Sequence, residues 1–219
     1  MAGIYIHIPF CKQKCNYCNF FSSASQKNKE DFVDALLKEI AIQQPYLNGE
    51  EINTIYFGGG TPSLLTKNNI DAIFNQLHKY YSINNNIEIT LEANPDDLDR
   101  SKLTDIKNTP INRLSIGIQS FFKEDLQYLN RIHSTEQVIN TINSAQDIGF
   151  NNITIDLIYG IPDLIDDKWD ANLSIAFDLE IPHISAYCLT IEEGTALYHQ
   201  ISKGKAKAIA GKKMVMSKK

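Results

Sequence analysis

The sequence predicts an α/β fold in which six parallel strands alternate with helices and curve into a partial (βα)6 barrel, helices outside. Three observations predict it. Short apolar runs of strand length alternate with segments whose apolar residues recur at helical spacing, the pattern of βα units. The connections between successive runs are long enough to hold a helix, as parallel pairing demands. Within the strands, apolar and polar residues alternate, so one face suits a helical layer and the other does not.

The first strand is Ile4 to Ile8, followed by a loop carrying three cysteines and a helix over about Asp31 to Gln43 with Phe32, Leu36, Leu37 and Ile40 as its stripe. Ile52 to Phe57, the second strand, runs into GGGTP and a helix from Lys67 to Tyr81 that places Ile70, Ile73, Phe74 and Leu77 on one face. The third strand, Ile87 to Glu92, stops at Asn94-Pro95 and precedes a short helix near Ser101 to Ile106. Arg113 to Gln119 is the fourth strand. The helix from Thr135 to Ile148 turns Val138, Ile139, Ile142 and Ala145 inward and ends at Gly149. The fifth strand, Asn152 to Ile158, stops at Gly160 and Pro162; a helix over about Asp167 to Asp178 leads to the sixth strand, Ile184 to Leu189. No internal repeat or low-complexity linker interrupts this order.

Phase along the strands separates two faces. Ile87, Ile89 and Leu91 oppose Glu88, Thr90 and Glu92; Leu114, Ile116 and Ile118 oppose Ser115, Gly117 and Gln119; Ile153, Ile155 and Leu157 oppose Thr154 and Asp156. With helices over the apolar face, the concave face holds carboxylates, an amide and hydroxyls, which are costly to bury without partners. A polar ligand near the C-terminal ends of the strands accounts for them. An antiparallel sheet with one wet face is the alternative, and the long crossovers argue against it. Cys188 shares its phase with Ile184 and Ala186 and reads as a small core residue on the helix side.

With 219 residues and 43% hydrophobic content, the chain can bury one large core. No apolar run approaches the ~20 residues of a membrane span, and MAGIYIHIPF lacks the features of a secretory signal. These features, with closely spaced thiols, fit a reducing cytoplasm. The net charge of -5 is uneven: residues 1 to 202 carry 14 basic and 26 acidic side chains, and seven lysines come after them, from Lys203 on, with no acid. Such acidity argues against a nucleic-acid partner. Residues 1–202 read as one core domain and 203–219 as a basic tail, disordered or foreign to the fold.

Cys11, Cys15 and Cys18 crowd the loop CKQKCNYCNF. Three thiols cannot all pair locally, which disfavours disulfides. A structural zinc site wants four ligands and usually two C-x2-C knuckles, and only Cys15 and Cys18 have that spacing. Thiolate is the soft ligand of iron-sulfur clusters, and three cysteines on four irons leave one iron open for a reactant. A zinc-stabilised binding module remains the alternative from a different class.

The C-x3-C-x2-C spacing resembles the signature of the radical S-adenosylmethionine (SAM) superfamily. YIHIPFCKQKCNYCNF, GGGTPSLL, LEANPDDL, NRLSIGIQSF, LNRIH and DLIYGIP, in this order, resemble its oxygen-independent coproporphyrinogen III oxidase group and, within that, the haem chaperones of the HemW type. The likeness runs from about Gly3 to Tyr198. It implies a 4Fe-4S cluster on Cys11, Cys15 and Cys18, with SAM contacted by Tyr5, Tyr17, Gly59, Gly60, Thr61, Glu92, Gln119, Arg131 and Asp156. The inward phase of Glu92, Gln119 and Asp156 agrees independently. Haem or a porphyrinogen as ligand, an electron donor and a haem-accepting protein are the implied partners.

Two departures bear on function. The related oxidases carry C-x3-C-x2-C-x-C, whereas Phe20 stands two residues past Cys18. Family members also continue into a further C-terminal domain, so the sixth crossover helix and the domain beyond it are expected to be missing from this chain. The resemblance therefore implies a haem chaperone first and coproporphyrinogen decarboxylation second.

Overall fold

A computed structural model describes residues 2–208. Six strands, β1 (Ala2–Ile8), β2 (Ile52–Gly59), β3 (Ile83–Ala93), β4 (Arg113–Gln119), β5 (Ile153–Tyr159) and β6 (His183–Cys188), form one sheet in sequence order. Every neighbouring pair is parallel. The helices are α1 (Lys29–Ile42), α2 (Lys67–Tyr80), α3 (Arg100–Lys107), α4 (Lys123–Tyr128), α5 (Thr135–Asp147), α6 (Asp166–Asp178) and α7 (Ala196–Ser202). The expected α/β fold is present, with its six strands and five helical crossovers. Among the described residues, no helix is long and apolar enough to cross a membrane.

Local chemistry explains the best-defined boundaries. Thr66 accepts from the Asn69 backbone while the Asn69 side chain accepts from the Thr66 backbone, a reciprocal cap that starts α2. Ser134 and Gln137 do the same for α5. Behind these caps, Ile70, Ile73, Phe74 and Leu77 of α2 and Val138, Ile142 and Ala145 of α5 are buried, as their spacing predicts. On α1, Ile40 is buried and Phe32, Leu36 and Leu37 pack at the margin of the core, because α1 covers the edge strand β1.

The main core lies between the outer face of the sheet and the helices. Ile8, Phe57, Leu91, Leu114, Ile116 and Ile155 are wholly enclosed, and each such side chain stabilises the fold by about 1.5 to 3 kcal/mol relative to exposure. A second cluster of Leu129, Ile158, Ile161, Leu189 and Leu197 sits at the C-terminal ends of the strands, with Tyr17 packed against it.

Three expectations change. β3 begins at Ile83 rather than Ile87, because Ile83 pairs with Ile52 and the Asn84 side chain accepts from the Asn86 backbone. The sequence marks no helix after the sixth strand, yet α7 follows it, started by the Thr195 side chain accepting from the Tyr198 backbone. Cys188 is not a core residue. It keeps the predicted phase, pairing with Tyr159, but lies half-buried on an edge strand whose Ala186 is exposed, because α7 turns onto the barrel end. Of the basic segment from Lys203, residues up to 208 are described. Lys207 pairs with Asp163 at 2.6 Å and its carbonyl accepts from the Tyr128 hydroxyl at 2.8 Å. Residues 209–219 lie outside the described residues.

Candidate functional site

The cysteine loop has little regular structure of its own and is tied down at several points. At its base, the Cys11 backbone donates to the Ser23 carbonyl (2.9 Å) and the Ser23 backbone to Pro9 (2.8 Å). At its far end, the Asn16 backbone donates to Leu129 (3.2 Å) and the Leu197 backbone of α7 donates to Asn16 (2.8 Å). Asn130, held at φ +58°, donates through its side chain to the Lys14 carbonyl (3.1 Å) and accepts at its own carbonyl from the Gln13 amide (3.2 Å).

This loop covers the C-terminal end of the concave face, and one cavity lies between them. Eleven of the twelve residues predicted for the site line it: Cys11, Cys15, Cys18, Tyr17, Gly59, Gly60, Thr61, Glu92, Gln119, Arg131 and Asp156. Tyr5 does not. It pairs with Tyr56 one inward row below His7 and Gly58, stacks on Tyr56 at 5.9 Å and is 58% exposed at the open edge. A larger cavity of about 370 Å³, between α4, α7 and the Pro162 turn, contains none of the predicted residues.

The glycines are required by packing as well as by a ligand. A Cβ on Gly60 would stand 2.6 Å from the Phe10 carbonyl oxygen and 2.9 Å from that of Ile8; one on Gly59, at φ +109°, would meet the His7 ring at 2.7 Å. Gly117 likewise leaves room for the Gln119 amide, 2.9 Å from its virtual Cβ. Gln119 itself has φ +68°, a left-handed conformation costing roughly 1–2 kcal/mol in a non-glycine residue. Such strain at the end of a strand belongs with function.

Electrostatics is concentrated on three side chains. Glu92 accepts from the Tyr56 hydroxyl (2.8 Å) and the Gly59 backbone (3.2 Å), and burial raises its pKa. Asp156 is pushed up to about 6, first by burial and then by the negative charge of Glu92. Arg131 donates from one nitrogen to the Asn94 side chain (2.6 Å) and the Gly117 carbonyl (2.5 Å), and from the other to the Cys15 sulfur (3.3 Å). Both ends of the guanidinium are thus engaged within the protein. His133 is a buried structural residue whose Nε2 meets the Ile118 carbonyl at 3.0 Å, and burial lowers its pKa to about 4.

The donor set fits a cluster better than a single ion. The three thiols border one cavity, yet among the described residues no three His, Cys, Asp or Glu side chains could hold one metal ion. An iron-sulfur cubane takes one thiolate per iron and so accepts sulfurs that are farther apart. Burial, and then the neighbouring Cys15 and Cys11, push the Cys18 thiol up, a cost that bound cationic iron removes.

The family model of the radical SAM superfamily matches residues 5–174. The chain belongs to this superfamily. Membership implies SAM and a 4Fe-4S cluster as cofactors. Among curated relatives, the haem chaperone HemW of Buchnera aphidicola (subsp. Acyrthosiphon pisum) is 39% identical over 198 residues, 90% of this chain and 52% of that protein. HemW of Escherichia coli is 37% identical over 195 residues, 88% and 52% respectively. The chain thus spans about half the length of the curated relatives it matches. In structure, the radical SAM enzyme coproporphyrinogen III oxidase (HemN) of Escherichia coli matches with a TM-score of 0.79 at 27% identity, covering 92% of this chain and 51% of that one.

Sequence reasoning passed over three residues that organise this cavity and its surroundings. Tyr56 was legible, since it shares the inward phase of β2 opposite Ile55 and Phe57. Asn94 reads in sequence only as a strand breaker before Pro95, yet it bridges Arg131 and Thr61. Lys12 gives no signal beyond its place beside Cys11.

Proposed function

We propose that the chain is the cofactor-binding core of a HemW-like haem chaperone, acting in the cytoplasm with haem or a porphyrinogen as ligand, an electron donor and a haem-accepting protein as partners. The observation that carries this reading is the convergence of three loop thiols and a polar, strained concave face on one cavity, in a chain 39% and 37% identical to two HemW proteins.

Cys11, Cys15 and Cys18 would hold three irons, with the fourth left for the amino-acid end of SAM. Cluster and SAM together supply one-electron radical chemistry when bound. The chain's own residues do the positioning. Gly59, Gly60 and Thr61 let the backbone come close to a zwitterion, with the Gly59 and Gly60 N–H groups already held by Glu92 and Ile8. Glu92 and Asp156 accept from ribose hydroxyls or an ammonium group, and Gln119 offers an amide from its strained backbone. Arg131 steadies the Cys15 thiolate and the end of β4, while Tyr17 and the apolar cluster behind it keep water from one side of the cavity. Tyr5, set outside the cavity, holds Tyr56 and through it Glu92.

Coproporphyrinogen decarboxylation is the competing reading, favoured by the likeness to HemN. Against it stands Phe20, 70% exposed at the rim of the cavity where the related oxidases carry a fourth cysteine. Anaerobic reconstitution followed by iron, sulfide and zinc analysis, haem titration and incubation with coproporphyrinogen III tests all three readings. Iron with sulfide, haem binding and no vinyl product are expected; zinc without sulfide, or protoporphyrinogen formation, overturns the proposal.

A further inference from the structure

Lys12 sits directly after Cys11. Its ammonium group meets a carboxylate oxygen of Asp97 and lies 3.1 Å from Asp96 Oδ2 and 2.9 Å from the Asp96 carbonyl. The Lys12 side chain is 40% exposed, whereas that of Asp97 is only 3% exposed. A lysine reaching from a loop to an enclosed carboxylate differs from a surface pair, because loss of the lysine strands the buried carboxylate. The second oxygen of Asp97 accepts from the hydroxyl of Ser63 at 3.0 Å. Ser63 is itself buried, on the 3-10 turn Pro62–Leu64 that continues Gly59, Gly60 and Thr61. Asp97 thus receives the cysteine loop on one oxygen and the glycine turn on the other. None of the three side chains lines the cavity.

We propose that Lys12, Asp97 and Ser63 form a positioning chain that fixes the cysteine loop against the glycine turn and so sets where the amino-acid end of SAM meets the cluster. The proposal rests on the cofactor reading above. Besides the backbone bonds at its base, among them Gly60 donating to Ile8 at 2.8 Å, and the contact of His7 with the Phe21 carbonyl, the loop is tied to residues 128–131, to Glu192 and to α7. Lys12 therefore adds a side-chain tie between loop and turn beyond the Gly60–Ile8 bond at the loop's root, and its loss lets one half of the SAM site shift relative to the other.

The test compares wild type with Lys12→Met, Lys12→Arg, Asp97→Asn and the Lys12→Met/Asp97→Asn double variant after anaerobic reconstitution. Iron and sulfide content, SAM affinity and the SAM-induced change in the electron paramagnetic resonance spectrum of the reduced cluster are the readouts. Lys12→Met is expected to keep full iron and sulfide, lose about tenfold in SAM affinity, as removal of an outer partner of a metal site does, and show a diminished spectral change. Lys12→Arg restores most of both, and the double variant is no weaker than the single ones. Wild-type SAM affinity with an unaltered spectral change in Lys12→Met overturns the chain, as does loss of the cluster itself, which would make Lys12 a folding contact. A wild-type chain that binds no cluster overturns the cofactor reading and this proposal together.

Discussion

The guanidinium of Arg131 lies 3.3 Å from the sulfur of Cys15 and, through its other nitrogen, 2.5 Å from the carbonyl oxygen of Gly117. One side chain therefore joins the cysteine loop to the C-terminal end of β4. Arg131→Met removes the charge together with the bonds to the Asn94 side chain, the Gly117 carbonyl and the Cys15 sulfur. Hydrogen bonds to charged groups are worth about 1.5 to 3 kcal/mol each, so urea unfolding of the cofactor-free chain is expected to show a loss of about 3 kcal/mol. A loss under about 1 kcal/mol would mean that solvent replaces these bonds, as at an exposed pair.

Asp156 gives the ligand-free site an unusual pH response. Its folded pKa of about 6 lies above the ordinary carboxylate value of 3.8, so between those pH values the folded chain binds the extra proton. Stability then falls as pH rises through this window. Asp156→Asn should flatten that fall and raise stability at pH 7 by up to about 3 kcal/mol, from 1.36 kcal/mol per pKa unit. The same variant should bind SAM roughly tenfold more weakly, from the loss of a charged hydrogen bond. Thermal unfolding from pH 4 to 7.5 and SAM titration check the two halves separately.

His133 acts in the opposite direction. Its pKa is lowered to about 4 from 6.5, so in that window the unfolded chain binds the proton and the folded chain does not. Stability contributed by neutral His133 is complete above about pH 6.5 and is lost as pH falls toward 4. Its Nδ1 is buried without a partner, so protonation there adds an unmatched donor. His133→Gln is expected to reduce the acid sensitivity of unfolding below pH 6.5, and an unchanged acid limb would contradict the assignment.

Gly60 is the test of the turn. The contacts facing its missing Cβ are backbone carbonyls of Ile8 and Phe10, which cannot swing aside. Gly60→Ala is expected to cost about 3 kcal/mol, at the upper end of overpacking penalties. Gly3→Ala, where the close atom is the Thr54 hydroxyl of a movable side chain, should cost well under half of that. Equal losses in urea unfolding would show that the turn yields.

Much of this architecture is legible in sequence because two periods rarely coincide by chance. Strand residues such as Ile116 and Ile155 face helices while Ser115 and Asp156 face inward, and the capping pairs Thr66 with Asn69 and Ser134 with Gln137 mark where helices begin. α4 and α7 escape this reading. α4 buries only Asp125 and Leu126, and α7 buries only Leu197, so neither repeats an apolar position often enough to show a period. The site divides the same way. Phase alone places Glu92, Gln119 and Asp156, but phase does not fix the row, and Tyr5, inward in phase, stands one row too low and at the sheet edge. Arg131 depends on the path of an irregular segment, which no periodicity encodes.

The bond from the Leu197 backbone to the Asn16 carbonyl joins the two ends of the described chain. During synthesis the three cysteines emerge well before the helix that clamps their loop. Contacts so distant in sequence close slowly and late in folding. The thiols therefore spend that interval on a loop without its lid, open to oxidation and to stray metal ions. The nascent loop is most in need of a reducing environment at that stage, before α7 has docked.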